Sequence, residues 1–333
     1  PVHARIVELR RYATRCDCGC RVIGEAPQGY DDPRQGFGPN VHALLSYFNG
    51  SHHISHDRLQ QLCQQVFGLT ISAGAIARSL RRTADKLTDP AQQILEAIRA
   101  SRVIGSDETG LRIEGRNAWL WVLQTPSASY FAADNSRAGQ VLRTLMADAV
   151  AEVWCCDLGS AQLTAPTQAF AVCNAHYLRR LQYAIDAGDT TFAPAFQWLL
   201  REALQLSRAR DALPDDLYQQ QLEVVKATAR HLLTWDTVNE EGRKLKKSFN
   251  KHFDNMWRFL DHADVPFDNN ASERALRPAV IHRRVIGGFR TPQGANDYAT
   301  YRTIEDTARK RKQPVLHAIY AVLGSPVQPL RNP

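Results

Sequence analysis

The chain has no apolar run long enough to cross a membrane; the longest are interrupted by Arg, Asp or Gln within a few residues. Its opening stretch, PVHARIVELRRYATR, is basic and broken up, so it contains no signal-peptide core. It begins with Pro1 and not Met, so a segment upstream is expected to have been removed. Internal repeats and low-complexity tracts are absent, which argues against a solenoid or a largely disordered chain. An acidic excess is also missing: 41 Lys+Arg face 34 Asp+Glu, a net charge of +7. Cysteines are few and odd in number, at seven, and three of them fall within CDCGC. Without a secretory signal, that pattern points to a reducing compartment and metal binding rather than to disulfides.

What is present is ordinary globular material. A length of 333 residues suggests two or three domains, and 44% hydrophobic against 23% charged residues is enough for a real core. The basic excess is clustered at 78–82, 274–290 and 302–311, as suits a polyanion such as DNA. Any one cluster reads equally well as a solvated face.

Residues 1–25 hold the cysteine cluster, and 26–40 (APQGYDDPRQGFGPN) read as a linker rich in Gly, Pro and Asp. Residues 41–100 read as helical. Leu59, Leu62, Val66 and Phe67 fall at helical spacing, Gly68 stops the helix, and Ser72 caps the next one. Helix, short turn, helix is the outline of a helix-turn-helix, with Arg78, Arg81 and Arg82 on or beside one face of the second helix as DNA contacts. From about 101 the period changes. SRVIGSD, NAWLWVLQT and SASYFAAD read as strands, RAGQVLRTLMADA as a helix and EVWCCD as a buried strand. This β-β-β-α-β order is how ribonuclease-H-like domains begin. Residues 174–260 read as almost wholly helical, Pro266 breaks the chain, and helices follow from Asp268 (DNNASERALRPAVIHRRV) and over about 296–323.

Two of these strands end in an acid, Asp107 and Asp157, where side chains from neighbouring strands converge. Phosphoryl transfer on DNA with two divalent ions needs clustered carboxylate oxygens of this kind. Either Asp taken alone reads more simply as the start of a turn. Glu273 is the candidate third acid. It also fits a capping box beginning at Asn270, and a helix pair with Arg277 four residues on.

Three segments, GSDETGLRIEGRNAWLWV (105–122), CNAHYLRRL (173–181) and FDNNASERALRPAVIHRRVIGGFRTPQGA (267–295), resemble the DDE transposases of the insertion-sequence-sixty-six family, transposase C type. IEDTARKRKQPVLHAI (304–319) resembles that family's C-terminal helix. The resemblance implies a ribonuclease-H-like core at 101–183 and 263–325, interrupted by a helical insertion at 184–262. It implies Asp107, Asp157 and Glu273 as a triad holding two Mg²⁺ or Mn²⁺ ions, and a reaction in which a phosphodiester at the transposon end is hydrolysed and the freed 3′-hydroxyl attacks target DNA. It further implies transposon-end and target DNA as partners, a homo-oligomer on DNA, accessory proteins of the same element, and a bacterial cytoplasm around the nucleoid. Family members often carry an Asp-Gly/Tyr-rich turn after the second acid, whereas this chain has Asp157-Leu-Gly-Ser-Ala.

Other residues carry narrower expectations. Cys173 and His176 make half a metal site with no matching pair nearby, which argues against structural zinc. The resemblance places His176 near the catalytic core, as a catalytic or DNA-contacting residue or as a packed, hydrogen-bonded histidine. Cys16, Cys18 and Cys20 are weighed between zinc ligands of a partial finger-like segment and free thiols; the family's second ligand pair lies further upstream, and the chain begins too late to contain it. Arg274, Arg277, Arg283, Arg284 and Arg290 read as phosphate contacts or as a solvated helix face. Trp119, Trp121 and Trp154 read as core. Two rivals are a non-enzymatic DNA-binding protein, disfavoured by the presence of all three acids, and a glycosidase-like hydrolase, disfavoured by the basic clusters and the third acid.

Overall fold

A computed structural model describes residues 8, 10–25 and 36–324; the linker expected at 26–40 falls mostly outside them. The cysteine segment forms a small hairpin, β1 (Ala13–Arg15) against β2 (Arg21–Ile23), exposed throughout.

Three helices follow. α1 is Pro39–Gly50, α2 is His56–Phe67 and α3 is Ala73–Arg99. Gly68 ends α2 in the left-handed region at φ 61, and the Ser72 side chain accepts from Ala75 N to begin α3, as the sequence reading expected. α3 runs for 27 residues because its apolar face continues from Ile76 to Ile98. Ile76 packs with Leu45, Leu59 and Cys63, while Leu87, Ala91, Ile94, Leu95 and Ile98 pack against the central sheet. One continuous helix therefore joins the N-terminal helices to the sheet.

That sheet contains β3 (Val103–Ile113), β4 (Arg116–Gln124), β5 (Ser129–Asp134), then α4 (Gln140–Met146), β6 (Ala151–Cys156) and β7 (Thr167–Val172). Its spatial order is β5-β4-β3-β6-β7; β3, β4 and β5 are antiparallel neighbours, while β6 runs parallel to both β3 and β7. β3 is longer than expected. Glu114 and Gly115, at φ 53 and 74, make a tight hairpin turn of the kind that needs positive φ at both central positions, so pairing with β4 carries β3 beyond Asp107 to Ile113. β7 was not anticipated from the sequence.

The rest is helical: α5 (Asn174–Asp186), α6 (Phe192–Arg208), α7 (Asp215–Leu232), α8 (Glu240–Lys251), α9 (Phe253–Asp261), α10 (Asn270–Ile286), α11 (Pro292–Lys310) and α12 (Val315–Leu323). The single helix expected at 296–323 is two, because Lys312 takes φ 57 and Pro314 precedes α12. Helices α5–α9 bury Phe192, Phe196, Phe249 and Trp257 in a core that continues onto Val153, Cys155 and Ala171 of the sheet. The opposite sheet face carries Ile104, Trp121 and Trp154 against α3, α4, α11 and α12. Trp121 and Trp154 are wholly buried and Trp119 packs at the edge of that core, as expected. None of the described helices is long and apolar enough to cross a membrane.

Candidate functional site

Register places the first two acids side by side. Gly105 of β3 pairs with Cys155 of the parallel strand β6. Two residues further along each segment stand Asp107 and Asp157, near enough for the Asp157 charge to act on the Asp107 carboxyl. Asp157 lies just beyond the end of β6, at its carboxyl edge as expected; Asp107 lies inside β3 but past the stretch that β6 covers.

Gly105 lets α10 come down on the sheet. A Cβ there would stand 3.1 Å from Ser272 Oγ and collide with the Gln124 amide. The descent is fixed by Asn269, which is buried. Its Nδ2 donates to Ser106 O at 2.7 Å, its Oδ1 accepts from Ser272 Oγ at 2.7 Å, and its backbone N–H donates to Cys173 Sγ at 3.1 Å. Cys173 N–H in turn donates to Cys156 O, next to Asp157. Three segments distant in sequence are thus tied together within a residue or a few of Asp107, Asp157 and Glu273. Farther along, Arg283 donates to Gly110 O and the fully buried Arg302 of α11 donates to Ala275 O at 3.1 Å, which hold α10 on the sheet.

Burial pushes the Asp107 carboxyl up to about 7, and the negative charges of Asp157, Glu108 and Glu273 add to the rise against a 2.8 Å hydrogen bond from Glu108 N. Asp157 and Glu273 both therefore lie near enough to act on Asp107. Asp157 also makes the turn that was its simpler reading: its Oδ1 accepts from Gly159 N at 2.8 Å.

Glu273 does not cap its helix. The N-cap is Asn269, one residue earlier than that capping box needs, and no side chain caps the helix; Asp268 accepts from Asn270 N at 3.0 Å and Asn270 Nδ2 at 2.7 Å just before it. Nor does Glu273 face Arg277. It points to α5, with its Oε1 3.8 Å from His176 Nδ1 and 3.6 Å from Arg179 Nη2. Both Glu273 Oε1 and His176 Nδ1 are buried with no hydrogen-bond partner, so the packed, hydrogen-bonded reading of His176 is not realised at that nitrogen. Among the described residues, two groups of three have ligand atoms all within 4.8 Å of one another: Cys173, His176 and Glu273, and Cys16, Cys18 and Cys20. The three acids by themselves are not drawn so close. Cys173 and His176 do have a third partner, one that arrives from nearly a hundred residues away and so could not be paired with them by local spacing.

Of the N-terminal cysteines, Cys16 and Cys18 are disulfide-bonded, with Cα atoms 5.3 Å apart, and Cys20 is free; the three sulfurs also lie within 4.8 Å of one another, a cluster that allows zinc.

The arginines separate into two kinds. Arg78, Arg274, Arg277, Arg284 and Arg290 are exposed. Arg82 is partly buried, and Arg81 bonds Asp297 of α11 at 3.1 Å as well as Asp85. Arg283 is committed to β3. Arg179, Asn269 and Ser106 were missed as site residues; Arg179 follows His176 by three positions and so shares its helix face, which was a usable signal.

No curated protein matches the chain. A family model described as Transposase IS66 family matches residues 34–297, most of the 333. The chain belongs to the IS66 family of transposases.

Proposed function

We propose that this chain cuts and rejoins DNA with Asp107, Asp157 and Glu273 as the ligands of two divalent ions, magnesium or manganese. The observation that carries the proposal is that α10 brings Glu273 over the sheet near enough for its charge, with that of Asp157, to act on Asp107. The donor set fits hard cations: it is all carboxylate oxygen, one of its atoms, Glu273 Oε1, is buried without a hydrogen bond, and burial, with the neighbouring charges adding, raises the Asp107 carboxyl. When bound, such ions supply charge stabilisation for the phosphate oxygens and acidify the attacking hydroxyl or water.

The chain's own groups do the rest. His176 and Arg179 flank Glu273 and orient its carboxylate. Arg274, Arg277, Arg284 and Arg290 project from α10 and the segment after it, where guanidinium groups bind phosphate oxygens. The sheet order β5-β4-β3-β6-β7, with α6–α9 placed between the second and third acids, supports a ribonuclease-H-like core with a helical insertion. The α2–turn–α3 unit is proposed as a helix-turn-helix, with Arg78 its most exposed phosphate contact. Cys16, Cys18 and Cys20, once reduced, offer three of the four thiolate ligands of a zinc site.

Glu273→Gln tests the reading. Glu273 makes no capping hydrogen bond at the start of α10, so the helix survives the change. DNA cleavage in Mg²⁺ or Mn²⁺ is expected to vanish while DNA binding and thermal unfolding without metal change little. Near-normal cleavage by the variant, or cleavage by the wild type in excess EDTA, would overturn the assignment.

A further inference from the structure

The start of α5 and the first turn of α10 meet in an arrangement that a site made only of carboxylates leaves unexplained. Cys173 is the residue before α5 and His176 lies in its first turn, so both face the same way across a Cys-x-x-His spacing. Glu273 reaches them from α10, and one donor atom from each falls within 4.8 Å of the other two. The contact between His176 Nδ1 and Glu273 Oε1, at 3.8 Å, is too long for a hydrogen bond, yet both atoms are buried and otherwise unbonded. Zinc bonds of about 2.0–2.3 Å at tetrahedral angles hold donor atoms roughly 3.5 Å apart. The gap that is wrong for a hydrogen bond is therefore close to the gap an ion would hold.

We propose that Cys173, His176 and Glu273 form a site for one thiophilic divalent cation, zinc above all, with a ligand set distinct from the Asp107–Asp157 pair. Sulfur and imidazole select against magnesium, which takes oxygen ligands. The Asn269 N–H that already points at Cys173 Sγ, at 3.1 Å, stabilises a thiolate there and orients it. On binding, the Cys173 thiol loses its proton to solvent as the zinc–sulfur bond forms, and Zn²⁺ with one thiolate and one carboxylate is electrically neutral, which suits a partly buried position. Three protein ligands leave one position open.

A consequence rests on the proposed function. Glu273 belongs to both ligand sets, so zinc held by Cys173 and His176 withdraws it from Asp107 and Asp157. Zinc is then an inhibitor of magnesium-supported cleavage, acting through the third acid.

The test uses the full chain with Cys16, Cys18 and Cys20 replaced by Ser, which removes the other cysteine cluster, and Co²⁺ as the probe. One equivalent of cobalt is expected to bind with a thiolate-to-cobalt charge-transfer band that Zn²⁺ bleaches. Cys173→Ser abolishes the band; His176→Gln and Glu273→Gln weaken cobalt binding about tenfold or more, at least the cost of losing an outer-shell partner. Asp107→Asn weakens it less than either. If Cys173→Ser fails to fold, judged by circular dichroism, His176→Gln carries the test, because its side chain is 42% exposed. No charge-transfer band, a band that survives Cys173→Ser, or a loss on Asp107→Asn equal to that on Glu273→Gln would overturn the site. In the parallel cleavage assay, zinc inhibits in Mg²⁺ and the half-inhibitory concentration rises about tenfold in Cys173→Ser. Absence of cleavage under any ion would sink the proposed function and leave the cobalt result standing; cleavage without the cobalt band would do the reverse.

Discussion

Asp107→Asn removes a charge that the fold opposes when no metal balances it. Burial and the neighbouring acids raise the carboxyl from 3.8 to about 7. The sign follows from where each state ionises. Below pH 3.8 the carboxyl is protonated both folded and unfolded and costs nothing. Between about 4 and 7 the unfolded chain ionises first, so stability falls as pH rises. Above 7 both states are ionised and the cost is flat, at about 4 kcal/mol from 1.36 kcal/mol per pH unit. At pH 5 less than half of that penalty remains. Asn has no charge to bury, and its Oδ1 still accepts the hydrogen bond that Glu108 N now donates at 2.8 Å.

Without metal the Asn variant is therefore more stable than the wild type at pH 8, and the gain shrinks by more than half at pH 5. For 333 residues unfolding together at about 2.1 cal/mol/K each, 4 kcal/mol corresponds to a Tm rise of about 6 °C at pH 8. Thermal melts in EDTA at the two pH values measure it. Saturating Mn²⁺ should narrow or reverse the order, since a ligand at 100 times its Kd adds about 2.7 kcal/mol to the state that binds it. A variant no more stable than the wild type at pH 8, or equally stabilised at both pH values, would refute the picture of Asp107 as a carboxylate destabilised by burial and by its neighbours. The variant should cleave no DNA at either pH.

Gly105→Ala should lower stability by about 1–3 kcal/mol, because the new methyl meets Ser272 Oγ and the Gln124 amide, and it should lower cleavage further by lifting α10; chemical denaturation and a cleavage rate check both. Asn269→Ala leaves the Ser106 carbonyl without its buried donor and should cost about 1–3 kcal/mol, measured by urea unfolding, with an m-value unchanged from the wild type. Arg277→Ala should weaken DNA binding evenly across sequences and reduce the salt slope by about 1, with Tm unchanged, as read by anisotropy at several salt concentrations. Arg283→Ala should instead lower Tm, since that side chain is bonded to Gly110 O.

Local signals in the sequence were read well and long-range ones were not. Ser72 and Gly68 act through their own turns, and the structure places both as expected. The strand through Asp107 extends past its apolar run because its last residues depend on pairing with Arg116–Leu120, across a turn whose positive φ values the Glu-Gly pair accommodates. β7 has the alternation of a strand, but TQAFAV is short and precedes a long helical stretch that dominated the pattern. The capping box is not formed because the helix begins one residue early: Asn269 is its N-cap, its side chain is spent on Ser106 and Ser272, and Asn270 is already helical. The partnership of Cys173 and His176 with Glu273 joins α5 to α10 across an inserted group of helices, and no local spacing encodes it.

The competition between structural and functional readings of Glu273 turns on who holds α10. If Glu273 were needed to start or seat the helix, its carboxylate would be spent on backbone or arginine partners. Each of those duties is met elsewhere. Asp268 receives the first N–H, Asn269 ties the helix start to β3, Arg302 holds the carbonyl of Ala275, and Arg283 anchors the far end to Gly110. What remains for Glu273 is an oxygen shielded from water, with cationic or ionisable side chains at 3.6 and 3.8 Å but no hydrogen bond. A buried acceptor without a partner costs about 1–3 kcal/mol, more for a charged group. A fold that spares the residue every task of starting or seating α10 and still bears that cost at its carboxylate is better explained by a ligand arriving there than by a helix cap.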